Sequence, residues 1–187
     1  MTLDTHPRVF GYGSLVNTAT HAYEDARPAV LPGWRREWRS TAIREVAYLS
    51  AYPDPDGAIE GLTAAVPGRD WAALDARERA YRRHDVTDRI AAGAAPVSVY
   101  SVEDGALDGT RHPILLSYLD TVVQGYLRVF GEDGARRFFD TTDGWEAAVL
   151  DDRLAPIYPR AQALKARERA FVDTCLAAQP VAVIGPR

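Results

Sequence analysis

The sequence has very little cysteine: Cys175 is the single thiol in 187 residues. One thiol cannot form an internal disulfide, and it excludes a zinc site built from several cysteines. Such a chain suits a reducing compartment, and Cys175 on an amphipathic helix is most simply a small buried hydrophobe. The four histidines form no His-x-x-x-His pair, so they predict no metal site.

Long apolar runs and clustered basic charge are missing as well. No stretch approaches the ~20 apolar residues of a membrane helix, and residues 1–8 carry no apolar signal core. The net charge is -4, and the 22 basic residues alternate with acidic ones instead of forming a stripe that could follow a phosphate backbone. We therefore expect a soluble, cytoplasmic protein that binds neither nucleic acid nor a membrane.

The composition that is present is that of an ordinary globular protein. Hydrophobic residues make up 47% and charged residues 26% of the chain, far from the profile of a disordered sequence. The length fits one compact domain over residues 1–187, and no linker or low-complexity tract suggests a boundary.

Six runs bounded by proline and glycine have the pattern of β-strands. They are residues 9–12, 30–38, 41–51, 58–66, 83–90 and 96–102. Helices are predicted over residues 70–82 with Asp70 as N-cap, from Pro113 to about residue 130, and over residues 161–178. We therefore expect an α+β fold, in which a small mixed β-barrel of about six strands is flanked by helices and followed by a C-terminal helical extension.

Two familiar motifs fail around the first predicted strand. Gly11 and Gly13 suggest a dinucleotide fingerprint, but its third glycine would fall at Val16. Ser14 suggests a nucleophile elbow, but the glycines required two residues on each side are replaced by Tyr12 and Val16. The sequence therefore predicts neither a dinucleotide site nor a serine hydrolase.

The segment Phe10-Gly11-Tyr12-Gly13-Ser14-Leu15 remains a candidate ligand loop. Successive N–H groups where a strand turns into a helix form a concavity that attracts a carboxylate or a phosphate. An ordinary strand-to-helix turn would have the same local pattern, so the segment by itself leaves both interpretations open.

Glu78 is the candidate proton-transfer residue. At 100° per residue, Trp71, Leu74, Glu78 and Tyr81 fall on one face of the predicted helix, so the carboxylate would lie on an apolar stripe. Burial there would raise its pKa and make it a usable base near neutral pH. The alternative is a surface ion pair with Arg82 one turn later.

The helix pattern does not single out Glu78. The pentapeptide Ala-Arg-Glu-Arg-Ala occurs at residues 76–80 and again at 166–170. Leu164, Glu168 and Phe171 repeat the same spacing in a second helix. Pattern alone therefore leaves two glutamates as candidates.

The order of the motifs along the chain distinguishes Glu78 from Glu168. A Tyr-Gly-Ser loop follows the first strand, then come Glu60-Gly61-Leu62, Leu74-Asp75-Ala76-Arg77-Glu78 and Tyr81. This order resembles the γ-glutamylcyclotransferase superfamily, which includes the glutathione-acting ChaC-type enzymes. The resemblance covers residues 9–129 and leaves residues 130–187 as a C-terminal extension. It implies the family fold, a small β-barrel flanked by helices.

The resemblance also implies a reaction and a site. A γ-glutamyl amino acid, dipeptide or glutathione would cyclise to 5-oxoproline and release an amine or amino acid, with Glu78 as general acid and base. The substrate-binding residues that it implies are Tyr12, Gly13, Ser14 and Leu15, through backbone amides, and Tyr100 as a pocket wall. This carbon–nitrogen lyase or acyltransferase chemistry requires no metal and no cofactor, and we expect a monomer or homodimer.

Two positions depart from the best-known family pattern. The loop often ends in Asn, where this chain has Leu15 as in the ChaC-like form, and Arg79 replaces a glycine that commonly follows the catalytic glutamate. The leaving group is therefore open: a γ-glutamylamine or another metabolite is an alternative substrate, and a catalytically silent small-acid-binding protein is another alternative. Outside the match, Arg160 either closes over a substrate carboxylate or is a surface residue.

Overall fold

The computed structural model describes residues 5–90, 95–102 and 111–185, apart from the side chain of Arg77. Within these ranges the chain forms nine strands and three α-helices. The strands are β1 (Arg8–Gly11), β2 (Arg27–Thr41), β3 (Arg44–Ala65), β4 (Tyr81–Asp85), β5 (Val97–Val102), β6 (Ile114–Leu115), β7 (Thr142–Asp143), β8 (Val149–Leu150) and β9 (Val183–Ile184). The helices are α1 (Trp71–Arg77), α2 (Leu116–Asp140) and α3 (Ala166–Ala177).

A mixed six-stranded sheet is the centre of the fold, with the order β4-β5-β1-β3-β2-β7. β1 is antiparallel to β3 and parallel to β5, and β2 is parallel to the short β7. The predicted α+β class and the count of about six sheet strands are confirmed, whereas the predicted closure into a barrel is not found in the described residues. Among the described residues the sheet stays open, because β7 pairs with β2 over two residues only and is too short to carry the sheet round to β4.

The long hairpin of β2 and β3 differs from the predicted strand boundaries. Residues 41–51 and 58–66 were expected to be separate strands, but they belong to the single strand β3. Pro53 and Gly57 between them suggested a break. Pro53 is instead tolerated opposite Trp34, where the register shifts at an irregularity of the ladder and a missing N–H costs little.

Helix α1 is shorter than the predicted helix of residues 70–82. Its start was correct, since the Asp70 carboxylate caps it by accepting a hydrogen bond from the Ala73 N–H at 3.1 Å. Its end was wrong, because Tyr81 leaves the helix to pair with Val102 in the β4–β5 ladder. Glu78 is therefore the residue that ends α1, and the helical stripe expected to carry it does not exist.

Helix α2 begins later and ends later than predicted. Residues 114–115, expected to be helical, pair with β8 instead. The helix then runs to Asp140 with a break at Gly131, whose φ of 69° lies in the left-handed region. That break is close to the predicted end near residue 130. α3 lies within the predicted residues 161–178.

The main core joins residues of α2 to residues of the sheet. Trp34, Trp38, Tyr126 and Phe138 are all buried there. None of the described helices combines the length and the apolar character needed to cross a membrane.

Gly125 allows α2 to pack directly on the backbone of the loop that follows β1. A Cβ at this position would lie 2.6 Å from the Asn17 nitrogen and 2.8 Å from the Val16 carbonyl carbon. We expect Gly125→Ala to lower the free energy of unfolding by about 1–3 kcal/mol, because backbone cannot move aside easily. Denaturant unfolding measures this change.

The sign of that change is diagnostic. Alanine is favoured over glycine inside a helix by about 1 kcal/mol, so a stabilised Gly125→Ala variant would mean that the close approach does not exist. Gly185→Ala is the control, because a Cβ there meets no atom within 4 Å and should leave the unfolding curve unchanged.

Candidate active site

A cavity of about 320 Å³ opens between the loop after β1, the end of α1 and the start of α2. Its walls include all residues that the sequence predicted for the site. These are Tyr12, Gly13, Ser14, Leu15, Glu78 and Tyr100. Segments more than sixty positions apart in the sequence therefore meet at one hollow.

The loop after β1 is a tight turn that keeps part of its backbone available. Its 3-10 turn uses the Val16 N–H, which donates to the Gly13 carbonyl at 3.0 Å, and the Asn17 N–H, which donates to the Ser14 carbonyl at 3.0 Å. Among the described residues, the N–H groups of Gly13 and Leu15 have no hydrogen-bond acceptor. The segment expected to turn from strand into helix forms two short 3-10 turns, Ser14–Val16 and Thr18–Thr20.

Buried polar groups stabilise this loop through hydrogen bonds to its backbone. The Tyr126 hydroxyl lies 2.9 Å from the Tyr12 carbonyl oxygen and 2.7 Å from the Glu60 carbonyl oxygen, and it accepts a hydrogen bond from Arg36 at 3.0 Å. Arg36 is 1% exposed, and burial lowers the pKa of its guanidinium. The Glu60 carboxylate accepts a hydrogen bond from Arg137 at 2.7 Å. Glu60 thus supports the loop and does not line the cavity.

Gly13 faces the hydroxyl of Tyr118 on α2. A Cβ on Gly13 would lie 2.6 Å from that oxygen. Burial raises the pKa of Tyr118. A hydrogen bond from the backbone N–H of Ser14 to the Tyr118 hydroxyl partly opposes this rise in pKa. Sequence reasoning missed Tyr118 as a site residue and counted it only as one apolar position of a helix. The available signal was a hydroxyl within a stripe of leucine and valine.

Glu78 enters the cavity from a turn that is fixed on both sides. Its N–H donates to the Leu74 carbonyl at 3.0 Å, and its carbonyl accepts from the Tyr81 N–H at 2.8 Å. The side chain is half-buried. It is the one carboxylate among the residues that line the cavity within the described part of the chain.

Tyrosines form much of the wall around Glu78. Six of the nine tyrosines of the protein line the cavity. They are Tyr12, Tyr48, Tyr81, Tyr100, Tyr118 and Tyr158. Burial is the main cause that raises the pKa of four of them, and the negative charge of Glu78 raises each further. These four, Tyr12, Tyr81, Tyr100 and Tyr118, therefore present neutral hydroxyls at neutral pH.

Three of these hydroxyls donate hydrogen bonds to other parts of the protein and so stabilise the cavity wall. Tyr12 donates to the Tyr100 carbonyl at 2.6 Å, Tyr81 donates to the Leu49 carbonyl at 3.1 Å, and Tyr100 donates to the Asp75 carboxylate at 2.5 Å. The Tyr118 hydroxyl donates to no acceptor within the described residues, so its proton remains available to a ligand.

The second glutamate of the repeated pentapeptide lies elsewhere. Glu168 is in the first turn of α3, where its carboxylate accepts hydrogen bonds from the Lys165 N–H at 2.8 Å and from Gln124 at 2.9 Å. Burial is the largest single influence and acts to raise the pKa of Glu168, but these hydrogen bonds together with the positive charges of Arg128 and Lys165 lower the pKa overall. Glu168 caps a helix and does not line the cavity.

No metal-binding cluster of three or more histidine, cysteine, aspartate or glutamate side chains occurs in the part of the chain that the structure describes. The remaining charged groups at the cavity are three arginines, Arg44, Arg79 and Arg160. Arg44 and Arg79 are exposed at the rim, and Arg160 is half-buried.

Solved structures share this fold at low sequence identity. A structure described as a gamma-glutamyl cyclotransferase has a TM-score of 0.56 and 10% identity, and the match covers 90% of this chain and 98% of that one. An uncharacterized protein from Homo sapiens gives 0.54 and 11% over 91% and 99% of the two chains, and YkqA from Bacillus subtilis gives 0.53 and 22% over 74% and 56%. No curated protein sequence matches the chain significantly.

A family model described as ChaC-like protein matches residues 8–103. This is just over half of the 187 residues, and it contains the loop of residues 12–15, Glu78 and Tyr100. The predicted resemblance to the γ-glutamylcyclotransferase superfamily is thereby confirmed, and the chain belongs to its ChaC-like family.

Proposed function

We propose that this protein is a γ-glutamylcyclotransferase, which converts a γ-glutamyl compound to 5-oxoproline and a free amine or amino acid. One observation carries the proposal: the Tyr12–Leu15 loop and Glu78 line the same cavity, and Glu78 is the one carboxylate among its described lining residues. Membership of the ChaC-like family supports the same reaction.

The reaction is intramolecular and needs no external nucleophile. The α-amine of the γ-glutamyl group attacks its own γ-amide carbonyl carbon, so that a ring C–N bond forms and the amide C–N bond breaks. Holding the substrate bent supplies an effective concentration of roughly 10⁵ M or more. The main task of the cavity is therefore to bind a folded substrate.

Proton transfer is the task of Glu78. The α-nitrogen, an ammonium group at neutral pH, first gives one proton to solvent so that its lone pair can attack. It loses a second proton as the ring closes, and a single carboxylate between the two nitrogens accepts this proton and donates it to the departing nitrogen. The released amine takes up one more proton from solvent, so the reaction is balanced. Such general acid–base catalysis contributes roughly 10²- to 10⁴-fold.

The loop and Tyr118 supply hydrogen bonds to the negative parts of the substrate. The N–H groups of Gly13 and Leu15 suit the α-carboxylate, because they lack an acceptor among the described residues and lie at the start of a helical turn. The hydroxyl of Tyr118 can donate to the oxygen of the amide carbonyl as negative charge develops there. The other tyrosines hold these groups in place.

A substrate panel tests the proposal. The wild-type protein is incubated with glutathione, γ-glutamyl dipeptides and γ-glutamylamines, and 5-oxoproline release is measured by mass spectrometry. We expect release from at least one of these compounds. Binding of 5-oxoproline without turnover of any of them would contradict the proposal and would indicate a silent binding protein.

A further inference from the structure

One wall of the cavity comes from the C-terminal part of the chain, outside the residues that match the family model. The wall segment, defined as Ile157, Tyr158, Pro159 and Arg160, lines the same cavity as the loop after β1. The family model ends at residue 103. This wall therefore lies outside the residues that the family model matches.

The wall segment is anchored to α2 by buried hydrogen bonds. The Asp152 carboxylate, which is 4% exposed, accepts hydrogen bonds from the Ser117 N–H at 2.7 Å and the Ser117 hydroxyl at 2.6 Å. It also accepts one from the Ile157 N–H at 2.9 Å. The same carboxylate therefore holds the start of the wall segment against the N-terminus of α2.

A second anchor lies one residue further along. Arg153 forms a two-pronged ion pair with Asp120 of α2, at 2.7 and 2.8 Å, and reaches Asp173 of α3 at 2.6 Å. Planar arginine–carboxylate pairs of this kind fix orientation as well as distance. The segment that precedes the wall is thus held between two helices.

Arg160 is positioned by the tyrosines of the wall. The Tyr158 ring meets the Tyr118 ring edge-on, with centroids 5.0 Å apart. The Arg160 guanidinium lies 5.7 Å from the Tyr158 ring centroid, and its Nε donates to the Tyr158 hydroxyl at 3.1 Å. No carboxylate among the described residues pairs with it. Its two terminal nitrogens thus remain available to a ligand.

The charge of the cavity favours a ligand with more than one negative group. Arg44, Arg79 and Arg160 contribute three positive charges to the lining, and Glu78 contributes one negative charge. A γ-glutamyl group carries one carboxylate and one ammonium group, which the loop and Glu78 can accommodate. Among the described lining residues no second carboxylate balances the three arginines, so a negatively charged leaving group would complement them.

We propose that the wall segment forms an anion subsite in which Arg160 binds a carboxylate of the leaving group. This inference rests on the proposed function, and it favours γ-glutamyl amino acids or peptides over γ-glutamylamines. Guanidinium groups suit carboxylates because their N–H donors match the two oxygens.

The test compares γ-glutamylglycine with its uncharged amide, γ-glutamylglycinamide, in wild-type protein and in Arg160→Gln. The wild type should prefer the carboxylate. Arg160→Gln should lower kcat/KM for γ-glutamylglycine roughly 10- to 100-fold, mainly through KM, because a hydrogen bond to a charged group is lost. Turnover of the amide should stay unchanged. Arg160→Lys, which keeps the charge, should retain part of the preference.

Arg111→Gln is the matched control, since the Arg111 side chain is 69% exposed in a surface ion pair with Glu146 and lies outside the cavity. It should change neither substrate's kinetics. Equal wild-type turnover of the two compounds, or an equal loss for both in Arg160→Gln, would overturn the subsite alone. If the wild type turns over neither compound, the same comparison is made with the best substrate of the panel and its carboxamide. Turnover of no compound of the panel would overturn the proposed function and the subsite with it.

Discussion

Replacing Glu78 by glutamine should lower kcat for 5-oxoproline formation by roughly 10²- to 10⁴-fold. Glutamine has nearly the same shape but cannot accept and return a proton. Because the half-buried side chain lies in a cavity and not in the core, the variant should fold and still bind 5-oxoproline. Steady-state kinetics on the best substrate of the panel, with a binding measurement beside it, separates the loss of proton transfer from a loss of binding.

Glu168→Gln is the control that the sequence itself provides. Glu168 occupies the same place in a second copy of the Ala-Arg-Glu-Arg-Ala pentapeptide, but it caps α3 and lies away from the cavity. Its substitution should leave kcat unchanged, although it removes a charged hydrogen-bond acceptor and lowers stability. A Glu78→Gln variant with activity within a few-fold of the wild type would exclude Glu78 as the proton-transfer residue.

Gly13→Ala should lower kcat/KM by roughly 10²-fold. The new methyl group would lie 2.6 Å from the Tyr118 hydroxyl, and the ring cannot swing away freely because it packs edge-on against Trp38 and Tyr158. The loop must move instead, and a displacement of about 1 Å at a reacting group can cost this much in rate. The measurement is kinetics together with thermal unfolding, so that a folding defect is recognised.

A fully folded Gly13→Ala variant with wild-type kcat/KM would show that the loop does not position the substrate. Gly185→Ala again provides the control, because it adds the same methyl group in open space near the C-terminus. It should alter neither kinetics nor stability.

The candidate site was predictable because its two main parts are short motifs in a fixed order along the chain. The reason given for Glu78 from helical periodicity was nevertheless wrong. Its proposed carrier helix ends at residue 77, since the ladder of β4 with β5 draws Tyr81 into a strand. The local sequence there consists of helix-forming residues, so it predicts a longer helix. The strand that pairs with Tyr81 lies about twenty residues later in the sequence, and this pairing outweighs the local helix propensity.

The wall formed by Tyr118 and the wall segment could not be predicted in the same way. Tyr118 had the spacing of an apolar helix position, and residues 157–160 had no periodic pattern at all. They meet at the cavity because Asp152 binds Ser117 across thirty-five positions. A contact of that kind leaves no local signal in hydrophobic periodicity or turn chemistry. The sequence left two roles open for Arg160, a partner of a substrate carboxylate or a surface residue, and only the fold places it at the cavity.

The most direct measurement is a crystal structure of the protein with bound 5-oxoproline. We expect the ligand carboxylate within ~3.2 Å of the Gly13 and Leu15 N–H groups, and the Glu78 carboxylate within ~3.2 Å of the ring nitrogen. A ligand that occupies the cavity while Glu78 points away from the ring nitrogen, with no bridging water, would contradict the proposed role of Glu78.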